Sequence, residues 1–196
     1  MKWYQVFECD NTVKNPLVCD IDNFEKFGID ETIFKLGKKV EIDKNILRIQ
    51  SSNPNDDGEP DDALQSHLMI PIFSKRLITE LETANIKGIQ YIPINVFQSN
   101  DDAIEGYCIA NLLFFISAFD YEKSIYNRFR DNFPNIAKRG KIAGVKKFVL
   151  KKNKLYDVDI IRLEDYKQRF FVSEKFKNIF ESNKFTGYSF KEIELT

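Results

Sequence analysis

Asp20 and Asp22 stand one residue apart, directly after the apolar triplet Leu17-Val18-Cys19. At the end of a strand, two carboxylates so spaced suit magnesium-assisted phosphoryl transfer, one attacking phosphorus and the other serving as general acid. The strand that would present them is short and follows Pro16, and Phe24 stands where phosphatases of this kind carry threonine or valine. A surface turn is the expected reading, because a lone short motif often matches by chance. The pair is kept as the alternative: a small phosphatase-like or ligand-binding domain working through Asp20 and Asp22.

Other candidates are sparser. His67 has the intrinsic pKa of a general base, yet no serine or cysteine nucleophile in a recognisable motif accompanies it, and a base is identified by its geometry with a nucleophile. Cys9, Cys19 and Cys108 form no C-x-x-C, and one histidine cannot complete a zinc site with them. Cys108 lies in an apolar run and is expected to be an inert buried thiol. No cofactor or metal is expected.

Two acidic groups and one basic run remain. Asp56, Asp57, Glu59, Asp61 and Asp62 close the stretch from Ser51 to Asp62, whose turn formers predict an exposed loop. Its order is not that of a calcium loop. Asp101, Asp102 and Glu105 form the second acidic group. From Lys138 to Lys154 eight lysines and arginines occur without an acid, predicting a solvated hairpin face turning at Lys152-Asn153-Lys154 or a docking face. With only Phe148 interleaved, the run lacks the stacking aromatics of a single-strand nucleic-acid binder.

The elements that would position these residues follow from periodicity and punctuation. Lys2 to Cys9 reads as a strand, as do Val40 to Ile42 and Ile46 to Gln50, with a short helix over Asp22 to Phe27 between them. Tyr107 to Ile116 suits a buried central strand. Asp120 to Ser124 reads as a polar turn opening into a mobile segment up to Gly140, and Val158 to Leu163 as another strand. One module recurs without a gap. Ser74, Leu77, Leu81 and Gly88 return 99 residues later as Ser173, Phe176, Phe180 and Gly187. Each copy reads as strand, serine-capped helix, glycine, strand. The helices are predicted near 74–86 and 173–184, with each pair of flanking strands parallel. The fold expected is α+β, a mixed sheet containing two such modules at about 68–94 and 170–193. Residues 1–67 are expected to be strands and loops packed on a main domain of 68–196.

Composition narrows the class. Hydrophobic residues at 43% and charged residues at 30% describe a soluble globule, and 18 Phe with 8 Tyr favour an aromatic, strand-rich core. A formal charge of −1 gives no overall field for nucleic acid or a membrane. The first residues have no apolar leader, no run is long enough to span a bilayer, and a reducing, cytoplasmic setting is expected.

Several stretches together resemble the bacterial immunity-protein domain family found beside polymorphic and secreted toxins. They are Pro71-Ile72-Phe73-Ser74 with its helix, Tyr107 to Asn111 leading to Asp120 and Ser124, and Ile161 to Tyr166. Phe171 to Lys175 continuing through Thr186-Gly187-Tyr188 to Glu192 completes the set. The resemblance covers roughly residues 68 to 195. It implies a non-enzymatic cytoplasmic antidote that binds a cognate protein toxin, a nuclease being one candidate class, and it carries over no catalytic residue. Because the cleft of a nuclease is basic, either acidic group is a candidate contact surface.

Overall fold

A computed structural model describes residues 1–8, 17–20, 30–42, 48–51, 60–66, 69–98 and 101–196. Its elements in chain order are β1 (Trp3–Glu8), β2 (Val18–Asp20), β3 (Arg48–Ser51), β4 (Ala63–Ser66), β5 (Ile72–Ser74), α1 (Lys75–Thr83), β6 (Ile89–Phe97) and β7 (Ala103–Leu112). They are followed by β8 (Phe115–Ile116), β9 (Ile125–Arg128), β10 (Ile142–Lys147), β11 (Val149–Leu150), β12 (Ile160–Leu163), β13 (Phe170–Ser173), α2 (Glu174–Ser182) and β14 (Tyr188–Leu195). The fold is α+β. Six strands close a barrel in the order β2-β3-β6-β7-β5-β4, six form a sheet in the order β11-β14-β1-β13-β12-β8, and β9 pairs with β10 alone.

Both helices begin where the serines put them. Ser74 Oγ accepts from Leu77 N at 3.2 Å and Ser173 Oγ from Phe176 N at 3.3 Å. Such caps contribute about 1 kcal/mol each. Leu77, Ile78 and Leu81 of α1 and Phe176 and Phe180 of α2 are buried in one shared core, with Ile179 only partly covered. The left-handed helix exits are Asn85 and Lys184, each with φ 54°, rather than the glycines. Gly88 (φ +86°) and Gly187 (φ +103°) lie three residues further on, at the entry to the next strand. A Cβ on Gly187 would sit 2.0 Å from the Ala63 carbonyl oxygen, so only glycine allows that backbone approach.

The repeat is larger than its sequence signature. In register, Tyr107 of β7 faces Ser74 and Ile94, while Trp3 of β1 faces Ser173 and Ile193. Ala63 pairs with Phe73 as Ile160 pairs with Val172. Val18 lies parallel to Gln65 as Phe115 does to Arg162, and Arg48 to Asn95 as Val149 does to Glu194. Thus β1 through β6 correspond in order to β7, β8, β11, β12, β13 and β14, and α1 to α2. Each copy's first strand, however, completes the other copy's sheet: β7 separates β5 from β6, and β1 separates β13 from β14. The strands flanking each helix are parallel, as expected, but not adjacent. Where β2 pairs with β3 to close the barrel, the second copy has only a single bridge, Phe119 to Leu150.

Other expectations shift. Of the strands before residue 68, β1 lies in the six-stranded sheet and β2 to β4 in the barrel. Val40 to Ile42 is not strand, and the apolar run from Tyr107 breaks at Leu113-Phe114 between β7 and β8. The 120–140 segment is ordered by the β9–β10 hairpin. Lys152 to Lys154 is a 3-10 turn after β11, which pairs with β14 rather than with β10. The helix expected over Asp22 to Phe27 lies outside the described residues.

Candidate functional site

The phosphatase-type pair is only half described. Asp20 ends β2, and Asp22 lies outside the described residues, as do His67 and Cys9. Burial pushes the Cys19 thiol up to about 12 and raises that of half-buried Cys108, so neither is a thiolate near neutrality. Among the described residues no three His, Cys, Asp or Glu side chains converge as a metal site would require.

Asp56, Asp57 and Glu59 lie outside the described residues. Asp61 and Asp62 depart from the exposed acidic loop: they are 0% and 8% exposed. Asp62 is a buried joint between the two copies. Its carboxylate accepts from Ser74 Oγ at 2.8 Å, from Arg76 Nη2 at 2.5 Å and from Thr186 N at 3.2 Å. The second copy repeats the device in reduced form: Asp159 accepts from Ser173 Oγ at 2.6 Å and lies 3.7 Å from Lys175 Nζ. A carboxylate held this way is satisfied within the fold and is not presented to a partner. Asp101, Asp102 and Glu105 are exposed at the β6–β7 hairpin, and Arg48 Nη2 pairs with Asp101 at 2.5 Å.

A second polar cluster escaped sequence reasoning. Glu8 at the end of β1 accepts weakly from Ser66 N at 3.4 Å, and burial pushes its carboxyl up to about 7 against the pull of Arg162 and Arg169. Arg162 in β12 is buried, and burial lowers its guanidinium to about 10. It donates to the carbonyls of Lys167, at 2.6 Å, and Met69. Tyr188 joins them, its phenol pKa raised by burial. The group ties β1, β4, β12 and β14 together across the barrel–sheet junction. The sign for stability follows from the raised pKa. Between about pH 4.5 and 7 the folded state retains a proton that the unfolded state has released, so stability falls as pH rises through that window. Glu8→Gln removes this penalty. Its urea midpoint should exceed wild type at pH 8, with the advantage shrinking towards pH 5.

One stretch of the chain concentrates positive charge. From Tyr121 to Tyr156 the chain has eleven lysines and arginines against Glu122 and Asp131, a charge of +9 in a chain of −1. All eleven are exposed. The basic run visible from Lys138 onward is the later part of this lobe, and Lys123, Arg128 and Arg130 extend it upstream. A window count of charge would have found them.

A model of the Imm11 immunity protein family matches residues 9–195. The chain belongs to that family. The match reaches upstream of residue 68 to take in the barrel strands β2 to β4, and so covers the second copy of the repeat and all of the first except β1. No curated protein matches the chain. The family implies an immunity role with a toxin as partner in general. No helix among the described residues is long and apolar enough to cross a membrane.

Proposed function

We propose that this chain is a cytoplasmic antidote that neutralises one cognate protein toxin by direct contact, without chemistry of its own. Membership of the Imm11 family carries the proposal. Its support in the molecule is electrostatic: the Asp62 and Asp159 carboxylates are engaged inside the fold, while a strongly charged lobe is held ready at the surface. If the toxin cuts nucleic acid, its basic cleft would meet the described acidic end that bears Asp101, Asp102 and Glu105.

Co-expression with a toxin domain, taken from a reading frame beside this chain's own gene, tests the proposal. Growth should be restored, and the two proteins should co-purify. Asp20→Asn with Asp22→Asn should protect as well as wild type. Protection lost in that variant, together with a magnesium-dependent phosphatase activity that disappears with Asp20→Asn, would replace the antidote reading with the enzymatic one.

A further inference from the structure

The cationic lobe is built on a rigid base. Asp120, which is buried, accepts from Glu122 N at 3.0 Å, Lys123 N at 3.1 Å and Thr196 Oγ1 at 3.0 Å. Ser124 Oγ exchanges hydrogen bonds with the Val149 backbone. Phe119, Tyr121, Tyr126 and Phe148 pack edge to face under it, with ring centroids 5.0 to 6.2 Å apart. Little ordering is therefore left to be done on binding. Among the described residues only one of the eleven cations, Lys147, makes an ion pair, with Glu194 at 2.7 Å.

Apolar side chains are exposed in the same lobe. Ile125, Ile136 and Tyr156 are 53%, 74% and 67% exposed, and with Tyr121 they are four of the six large hydrophobic residues exposed among those described. Beside β10 a groove of about 520 Å³ brings Lys146, Arg169 and Lys191 together. Its two acids are already engaged, Glu192 with Lys2 and Glu194 with Lys147. Charge of one sign with interspersed apolar anchors is the makeup of a protein-docking face.

We propose that the lobe from Tyr121 to Tyr156 is the docking surface, and that its occupant is an acidic, partly apolar face of the partner protein. This rests on the neutralisation reading above and selects the basic lobe over the acidic β6–β7 hairpin end. Protein is favoured over nucleic acid by the rings and the aliphatics. Apart from Tyr156, the rings that would stack on bases are already packed: Phe129 on Phe133 at 4.6 Å, and Tyr121 and Tyr126 on each other with Arg128 over both. Exposed isoleucines, in turn, have no use for a phosphate backbone. The remaining 160 residues carry a charge of −10, so the lobe also orients an approaching acidic partner towards itself.

The test uses the full chain and two charge-reversed variants with unchanged circular dichroism. One is Arg130→Glu/Arg139→Glu/Lys146→Glu/Lys152→Glu, and the other is Asp101→Lys/Asp102→Lys/Glu105→Lys. Against the co-encoded toxin domain, the basic-lobe variant should bind at least tenfold more weakly, associate more slowly and lose its salt dependence. Ile125→Ser/Ile136→Ser should accelerate dissociation with little change in association. The acidic-end variant should bind like wild type. If wild type binds and the acidic-end variant is the one that fails, the lobe is not the docking face and the neutralisation reading stands. If wild type does not bind this toxin, the neutralisation reading fails. The lobe is then tested with poly-L-glutamate and with a single-stranded oligonucleotide of equal charge. Glutamate polymer bound through the lobe supports an acidic protein partner, and preference for the oligonucleotide overturns it.

Discussion

Val6→Asp should destabilise the chain by more than about 4 kcal/mol, and the damage should appear first at the opposite end of the sequence. Val6 is fully buried in the core shared by the two copies and pairs with Phe190. Its strand, β1, is central to the six-stranded sheet, with β13 on one side and β14 on the other. A carboxylate there would lie among apolar side chains, and a poorly paired buried charge costs several kcal/mol or forces protonation. A loss above about 4 kcal/mol is a large share of the ~5–15 kcal/mol that holds a domain folded. Native-state hydrogen exchange should show β13 and β14 losing protection together with β1, while β5 and β6 of the barrel persist longer. Frayed amides in residues 1–8 alone, with Phe171 and Phe190 still protected, would mean that β1 does not hold this sheet together.

Phe180→Ala should cost about 3–5 kcal/mol, as truncations of fully packed phenylalanines do. Phe180 is 2% exposed. Its ring stacks on Phe176 at 6.4 Å and on Tyr188 at 5.8 Å, and meets Phe185 and Phe190 edge-on at 5.7 and 5.3 Å. Four aromatic neighbours cannot all collapse into the vacated volume, so a residual cavity adds to the lost transfer free energy. Its counterpart in the first copy, at the constant offset of 99 residues, is Leu81, which is fully buried, and Leu81→Ala should cost about 2–5 kcal/mol. Urea unfolding with a common slope measures both. A Phe180→Ala loss below about 1 kcal/mol would show that the α2 face is not core.

The interface variants should behave differently, because the substituted cations of the lobe are exposed. Reversing exposed cations should change association and its salt dependence while leaving unfolding nearly unaffected. Stability and binding should thus separate cleanly between the Phe180 and the Arg130-containing variants.

What the sequence determined by itself was local. Ser74 and Ser173 start helices because a hydroxyl three residues ahead of a free amide caps it whatever the tertiary fold. Apolar residues at helical spacing named the buried faces of α1 and α2, and the glycines at 88 and 187 marked backbone of positive φ. Tertiary structure decided everything that depends on distant partners. Nothing near Asp62 in sequence reveals that Thr186 and Arg76 will satisfy it, so a run of acids read as solvated loop while its last two members became core. Glu8 and Arg162 meet only because their strands share the barrel–sheet junction. The exchange of first strands was invisible for the same reason. Strand pairing is fixed by the register and burial of the assembled sheet, and β1 and β7 take equivalent places with Trp3 and Tyr107 as their only aromatic match on that rung.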